Sequence, residues 1–237
     1  MKLAPSLHRV GSDMVNSYLV EDAGGVTVID AGLPGNYRDL RVELAAMGRS
    51  IEDVRGVILT HADTDHIGYA ERLRREHGIA IRVHELDVAR ARGEEKSNGK
   101  AGPMRIGPLL SFLWYGARHG GMRIPPVTEV VTFRDGDTLD LPGEPRVIHI
   151  PGHTAGSVAF HVAAVDALFV GDAMTTRSVL TGVVGPQPAP FTLEPATALA
   201  SLGSLDGVTA TWVLPGHGPP WNGGVTEALR RVREAAG

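Results

Sequence analysis

The chain of 237 residues contains no cysteine. Disulfides, thiolate catalysis and zinc–thiolate sites are therefore excluded, and any metal must be held by nitrogen and oxygen. Lysine is nearly absent: Lys2, Lys96 and Lys100 stand alone, and arginine carries the positive charge. No stretch approaches the roughly 20 consecutive apolar residues of a membrane span. The start, Met1 to Val20, lacks the unbroken apolar core of about 7–15 residues that a secretory signal needs. Ser6, His8, Arg9, Ser12 and Asp13 interrupt it. A cytoplasmic protein with no membrane partner is expected. A basic stripe is missing as well. The net charge of −4 and a pI near 6.2 argue against nucleic acid as a partner. Arg72, Arg74 and Arg75 stand beside Glu71 and Glu76 and read as a solvated helix face.

What is present suits a globular protein with a sizeable core, 43% hydrophobic and 21% charged. Strand-like runs cover Val15–Glu21 and Val26–Asp30 around the turn Asp22-Ala23-Gly24-Gly25. Further strands are read at Gly56–Thr60, Ile79–His84, Val127–Phe133, Arg146–Ile150, Ser157–Val162, Ala167–Val170 and Thr211–Leu214. Helical spacing marks Asn36–Met47, Tyr69–His77, 195–203 and 223–236. Residues 92–126 differ in character. Gly93, Ser97, Asn98, Gly99, Gly102 and Pro103 precede an apolar patch, and Gly120, Gly121, Pro125 and Pro126 follow it. This segment reads as an insertion over the core with a helix near 107–118, within a single domain spanning 1–237.

The densest chemistry lies in Thr60-His61-Ala62-Asp63-Thr64-Asp65-His66-Ile67-Gly68, directly after the apolar run Val57-Ile58-Leu59. Carboxylates gathered in one pocket repel one another unless a cation joins them. Three further groups also follow apolar runs. Val147–Ile150 leads through Pro151-Gly152 into His153, Leu168–Gly171 into Asp172, and Trp212–Gly216 into His217. Strand ends on one edge of a sheet converge, and loops there carry function on a rigid scaffold. The glycines before His153, Asp172 and His217 let the backbone turn sharply. His149 and His161, inside strands, read as structural. His8, His77, His84 and His119 read as surface residues. Trp114, with Phe112, Leu109 and Leu110, reads either as core packing or as a wall of a substrate lid.

In this order the residues resemble the metallo-β-lactamase superfamily, whose loop reads His-x-His-x-Asp-His and is followed by a later His, Asp and His. Asn16–Val20, Asp30-Ala31-Gly32, Pro151–Ser157 and Leu214–Gly218 look familial too. The resemblance spans about 8 to 220 and leaves 92–126 unexplained. It implies an α+β fold, a four-layer αββα sandwich of two mixed β-sheets flanked by helices. It also implies two divalent metal ions, zinc first. His61, Asp63 and His153 would hold one ion; Asp65, His66 and His217 would hold the other, with Asp172 bridging. Asp30 would brace the ligand loop.

Asp63 departs from the pattern, standing where most members carry the second histidine. The extra carboxylate makes the site less positive, and a harder ligand set tolerates iron or manganese beside zinc. The implied chemistry is hydrolysis. Two ions roughly 3.5–4 Å apart would share a hydroxide as nucleophile. Asp65 would both ligate and orient it. Tyr69, Tyr115, His119 and His149 are candidates for the proton donor. The expected protein is a metal-dependent hydrolase of a small ester, lactone, thioester or amide, its partner a small-molecule substrate; a homodimer is left open. The alternatives are an iron-dependent oxidoreductase or dioxygenase on the same fold, and a non-catalytic member that binds a metabolite.

Overall fold

The computed structural model describes residues 1–95, 99 and 101–237. Lys96, Ser97, Asn98 and Lys100, including the two polar residues read as opening the insertion, lie outside the described residues. A seven-stranded mixed sheet is built in chain order from β1 (Lys2–Ala4), β2 (Leu7–Ser12), β3 (Val15–Asp22), β4 (Gly25–Ile29), β5 (Val54–Ile58), β6 (Ile81–His84) and β7 (Val131–Phe133). β1 to β4 pair antiparallel; β4 to β7 pair parallel. The second sheet holds β8 (Arg146–His149), β9 (Val158–Val162), β10 (Ala167–Gly171) and β13 (Trp212–Pro215) in the order β13-β10-β9-β8. A small hairpin, β11 (Thr175–Arg177) with β12 (Val184–Gln187), stands apart. The helices are α1 (Tyr37–Ala46), α2 (Ala70–His77), α3 (Val88–Ala91), α4 (Ile106–Arg118), α5 (Pro195–Ser201) and α6 (Val225–Ala236).

Strand alternation sorts the apolar residues into three layers of core. Leu19, Val28 and Val57 face outward onto Leu40 and Leu44 of α1 and Leu73 of α2. Tyr18, Val20, Ile29 and Ile58 face inward onto Phe160, Phe169 and Leu214 of the other sheet. Ile148, Leu168 and Val213 face the far side, where Leu229 and Val232 of α6 cover them. The architecture is thus the four-layer αββα sandwich. Phe160 is fully buried between the sheets. Its truncation to alanine costs about 3–5 kcal/mol by the usual scale for buried aromatics.

Several local readings are corrected. Strands β1, β2, β11 and β12 were not expected. Only Val131–Phe133 of the run 127–133 joins a ladder. The Thr128 amide instead donates to Glu71 Oε2 at 3.1 Å, and Val127 donates to Ala91 at 2.8 Å. His8 and His84 are buried rather than at the surface. His8 Nδ1 lies 2.7 Å from Glu43 Oε1, and His84 stacks on His149 at 4.4 Å. Glu71 is buried too and carries Arg74 at 2.9 Å from both its oxygens. Arg72 lies over the Tyr37 ring. That stretch of α2 is an anchored face, not a freely solvated one. No helix among the described residues is long and apolar enough to cross a membrane.

Candidate metal centre

β5, β8, β10 and β13 all end on the same edge of the sandwich, because β10 and β13 run parallel and β8 is reached from β10 through two antiparallel steps. The loops that follow carry His61 to His66, His153, Asp172 and His217. All seven side chains of the sequence-read set come together there. Their ligand-type atoms group as His61, Asp63 and His153; as Asp65, His66 and His217; and as His61, His66 and Asp172, each trio within 4.8 Å. Asp172 spans the two sides. Its Oδ2 lies 3.1 Å from His217 Nε2 and 3.8 Å from His153 Nε2, and its Oδ1 lies 3.6 Å from His66 Nε2.

Each imidazole is aimed by a partner on its other nitrogen. His66 Nδ1 sits 3.0 Å from Asp30 Oδ2, which also accepts from the Thr60 hydroxyl at 2.8 Å. With its proton given to Asp30, the Thr60 oxygen accepts from His61 Nδ1 at 3.0 Å. His153 Nδ1 meets Thr192 Oγ1 at 3.2 Å, and His217 Nδ1 donates to the Met14 carbonyl. Every Nε2 is thereby turned inward. Such outer hydrogen bonds are what orient a metal-binding imidazole. Asp30 therefore braces the loop through hydrogen bonds.

The backbone is held just as closely. Asn16 donates to the carbonyls of Pro215 and Gly218 at 3.0 and 2.8 Å, and the Tyr18 hydroxyl donates to Pro215 at 2.8 Å. These bonds tie the first sheet to the His217 loop. Asp87 joins two other loops, accepting from the Ala62 amide at 2.9 Å, the Gly156 amide at 2.8 Å and the Thr154 hydroxyl at 2.8 Å. At Gly216 a Cβ would fall 2.3 Å from Asp172 Oδ1 and 2.4 Å from His66 Cε1. Only glycine lets that strand end approach.

The site crowds buried imidazoles and carboxylates that shift one another's protonation. His61 Nε2, His66 Nε2 and Asp172 Oδ1 are buried without any hydrogen-bond partner among the described residues. Orphaned buried polar atoms are costly, so three converging on one point fit an ion. Burial would push the His66 imidazole down, yet Asp30 and Asp172 outweigh it and hold it up at about 10. His217 is likewise held at about 9 against burial by Asp172. Burial, with His66 and His153 nearby, pushes His61 well below the ordinary imidazole range. Burial would raise the Asp172 carboxyl, but His217 and His66 hold it well below its ordinary value. The donor set, histidine nitrogen and carboxylate oxygen only, suits a first-row divalent ion.

Above the cluster opens a cavity of about 300 Å³. Asp63, Asp65, His153, Asp172 and His217 form its floor; Leu33, Phe112, Leu113, Met122, Val179 and Phe191 are among its walls. Phe112 presents its ring edgewise to His217, 6.2 Å between centroids. Trp114 turns away and is 65% exposed. Tyr69, Tyr115, His119 and His149 do not line the cavity. The Tyr69 hydroxyl donates to the Asp30 carbonyl at 3.3 Å, and Tyr115 is bonded to Asn36 at 2.9 Å. A larger groove of about 980 Å³, bordered by β12, α5 and α6, contains none of the seven residues.

The sequence model of the metallo-beta-lactamase superfamily matches residues 10–217, and the chain belongs to that superfamily. The chain is 25% identical over 238 residues to "Probable metallo-hydrolase YflN" of Bacillus subtilis, covering 93% of this chain and 86% of that protein. Among solved structures, a metallo-beta-lactamase family protein of Thermus thermophilus, TTHA1429, superposes with a TM-score of 0.70 at 25% identity, covering 97% of this chain and 79% of that one. TTHA1623, solved in a di-iron-bound form, superposes with a TM-score of 0.60 at 27% identity, covering 91% of this chain and 93% of that one.

Proposed function

We propose that the protein is a metal-dependent hydrolase of a small ester, lactone, thioester or amide that carries an apolar group. The observation that carries this reading is the set of three partnerless buried atoms, His61 Nε2, His66 Nε2 and Asp172 Oδ1, grouped within 4.8 Å of one another, of which Asp172 reaches the floor of the cavity. His61, Asp63 and His153 would hold one divalent ion, and Asp65, His66 and His217 the second, with Asp172 between them. When bound, such ions supply a water activated as nucleophile at neutral pH and a Lewis acid for the scissile carbonyl. Asp65 is the least buried of the seven and faces the cavity, so its free oxygen can orient an attacking water.

The chain's other residues set what can enter. Leu33, Phe112 and Phe191, with the exposed Leu113 and Met122, make the walls apolar and favour an alkyl or acyl chain. The segment 92–126, through α4, would serve as the substrate-covering lid. The purified chain should hydrolyse short-chain acyl esters or lactones, lose that activity on chelation and regain it with zinc. An absence of turnover across ester, lactone, thioester and amide panels in zinc-loaded protein would sink the proposal.

A second reading has a specific motive. Asp63 hardens the ligand set, and the structurally similar TTHA1623 was solved with two irons. An iron-dependent oxidoreductase is therefore the competing function. Iron in the freshly purified chain, with dioxygen uptake and no hydrolysis, would favour it.

A further inference from the structure

Arg90 lies in α3 and is only 4% exposed. Its Nη1 donates to Asp63 Oδ1 at 2.7 Å, and its Nη2 donates to Glu95 Oε1 at 2.7 Å. The two oxygens of Asp63 therefore have separate duties. Oδ1 is taken by Arg90, while Oδ2 faces inward, 3.2 Å from His153 Nε2 and 3.9 Å from His61 Nε2. We propose that Arg90 is a positioning residue, and that with Asp63 it forms a composite ligand equivalent in charge to the imidazole most family members carry at position 63. This inference rests on the reading that His61, Asp63 and His153 hold an ion.

Three physical points support it. First, charge: a carboxylate in place of an imidazole adds one negative charge to the site, and a guanidinium bonded to that same carboxylate removes it. Arginine is the residue for this task, because it stays protonated under all ordinary conditions. Second, denticity: a free aspartate can offer both oxygens to one ion. With Oδ1 held at 2.7 Å by Arg90, only Oδ2 remains, one atom where an imidazole would offer one nitrogen. Third, cost: a guanidinium this buried needs an anion close by, and Asp63, itself mostly buried, is the carboxylate it meets inside the site. Glu95, 51% exposed, holds the other side of the fork. Arg90 and Asp63 are thus fitted to one another, and neither suits the site alone.

The pair makes a test that a merely structural arginine would fail. Zinc dissociation constants are measured by competition with a chelating dye for the native chain and for Asp63→His, Arg90→Met and both together. Circular dichroism verifies that each is folded. Asp63→His should weaken zinc binding about tenfold or more, despite restoring the commoner ligand, because it strips Arg90 of its partner inside the site and leaves only the half-exposed Glu95 to offset a buried cation beside the ion. Adding Arg90→Met should bring binding back to within about threefold of native. Asp63→His with Arg90→Lys keeps the cation and should stay as weak as Asp63→His alone. A double variant with Arg90→Met that binds no better than Asp63→His, or a rescue by Arg90→Lys as complete as by Arg90→Met, would overturn the inference. Failure of the native chain to bind zinc would instead remove the metal reading on which it rests.

Discussion

The Asp30 carboxylate stands 3.0 Å from His66 Nδ1 and fixes which nitrogen of that imidazole faces the cluster. Asp30 does this from a left-handed backbone, φ 60°, at the end of β4. Asparagine tolerates that conformation and keeps the shape, but an amide cannot supply the negative charge. Asp30→Asn should therefore fold yet bind metal about 10–100-fold more weakly, the usual cost of losing such a partner. Metal titration of the refolded variant checks this. Native affinity in Asp30→Asn would show that Asp30 serves the fold alone.

Metal uptake should release protons. In the metal-free chain His66 is held at about 10 and His217 at about 9, both above the ordinary imidazole value, so both are protonated at neutral pH. An ion binding at Nε2 must displace those protons, so affinity rises with pH until these values are passed. Calorimetric titration with zinc in buffers of different ionisation enthalpy will reveal the release as a buffer-dependent heat. Heats that are identical across buffers would contradict it.

Phe112 and Trp114 are neighbours on α4 with opposite surroundings. Phe112 lines the cavity beside His217; Trp114 points away from it, under the guanidinium of Arg118. Phe112→Ala should raise KM for acyl substrates several-fold with little change in kcat, since it removes binding area that does not change during the reaction. Trp114→Ala should leave both constants near native. Steady-state kinetics on an ester series separates the two. A larger effect from Trp114 than from Phe112 would mean the cavity wall is misassigned.

Glu71 predicts an acid-labile brace. Its carboxyl is held below the ordinary value of 4.5, first by Arg74 and then, against burial, by Thr128. A carboxyl depressed on folding contributes stability that is present above its unfolded pKa and lost as pH falls through the folded one. Glu71→Gln should therefore lower Tm at neutral pH and flatten the fall in Tm below about pH 4.5 relative to native. Parallel melting curves for the two proteins across that range would refute the brace.

The strands that carry the site were legible because apolar runs and their following loops are local signals. Val57–Leu59, Leu168–Val170 and Val213–Leu214 are buried as expected from their composition alone. β2 was hidden because Arg9 and His8 are buried through Asn16, Asp13 and Glu43, partners that only the fold supplies. β12 contains Gly185 and Pro186, which read as strand breakers. Within the site, the seven converging side chains were visible in the order of motifs. Arg90 and Asp87 were not. Each acts across 20 or more residues of sequence through hydrogen bonds that no local period marks, Arg90 on Asp63 and Asp87 on Ala62 and Thr154. An arginine among Arg90 and Arg92 reads as surface charge until its burial is known. The charge attributed to Asp63 alone thus changes once Arg90 is placed beside it.

The central claim is that His61, Asp63, Asp65, His66, His153, Asp172 and His217 hold divalent ions. Elemental analysis of the dialysed native chain, beside Asp172→Ala and His61→Ala, tests it most directly. Close to two zinc ions per native chain, with a marked fall in both variants, is the predicted result. A native chain that retains no divalent metal after zinc loading would contradict the account.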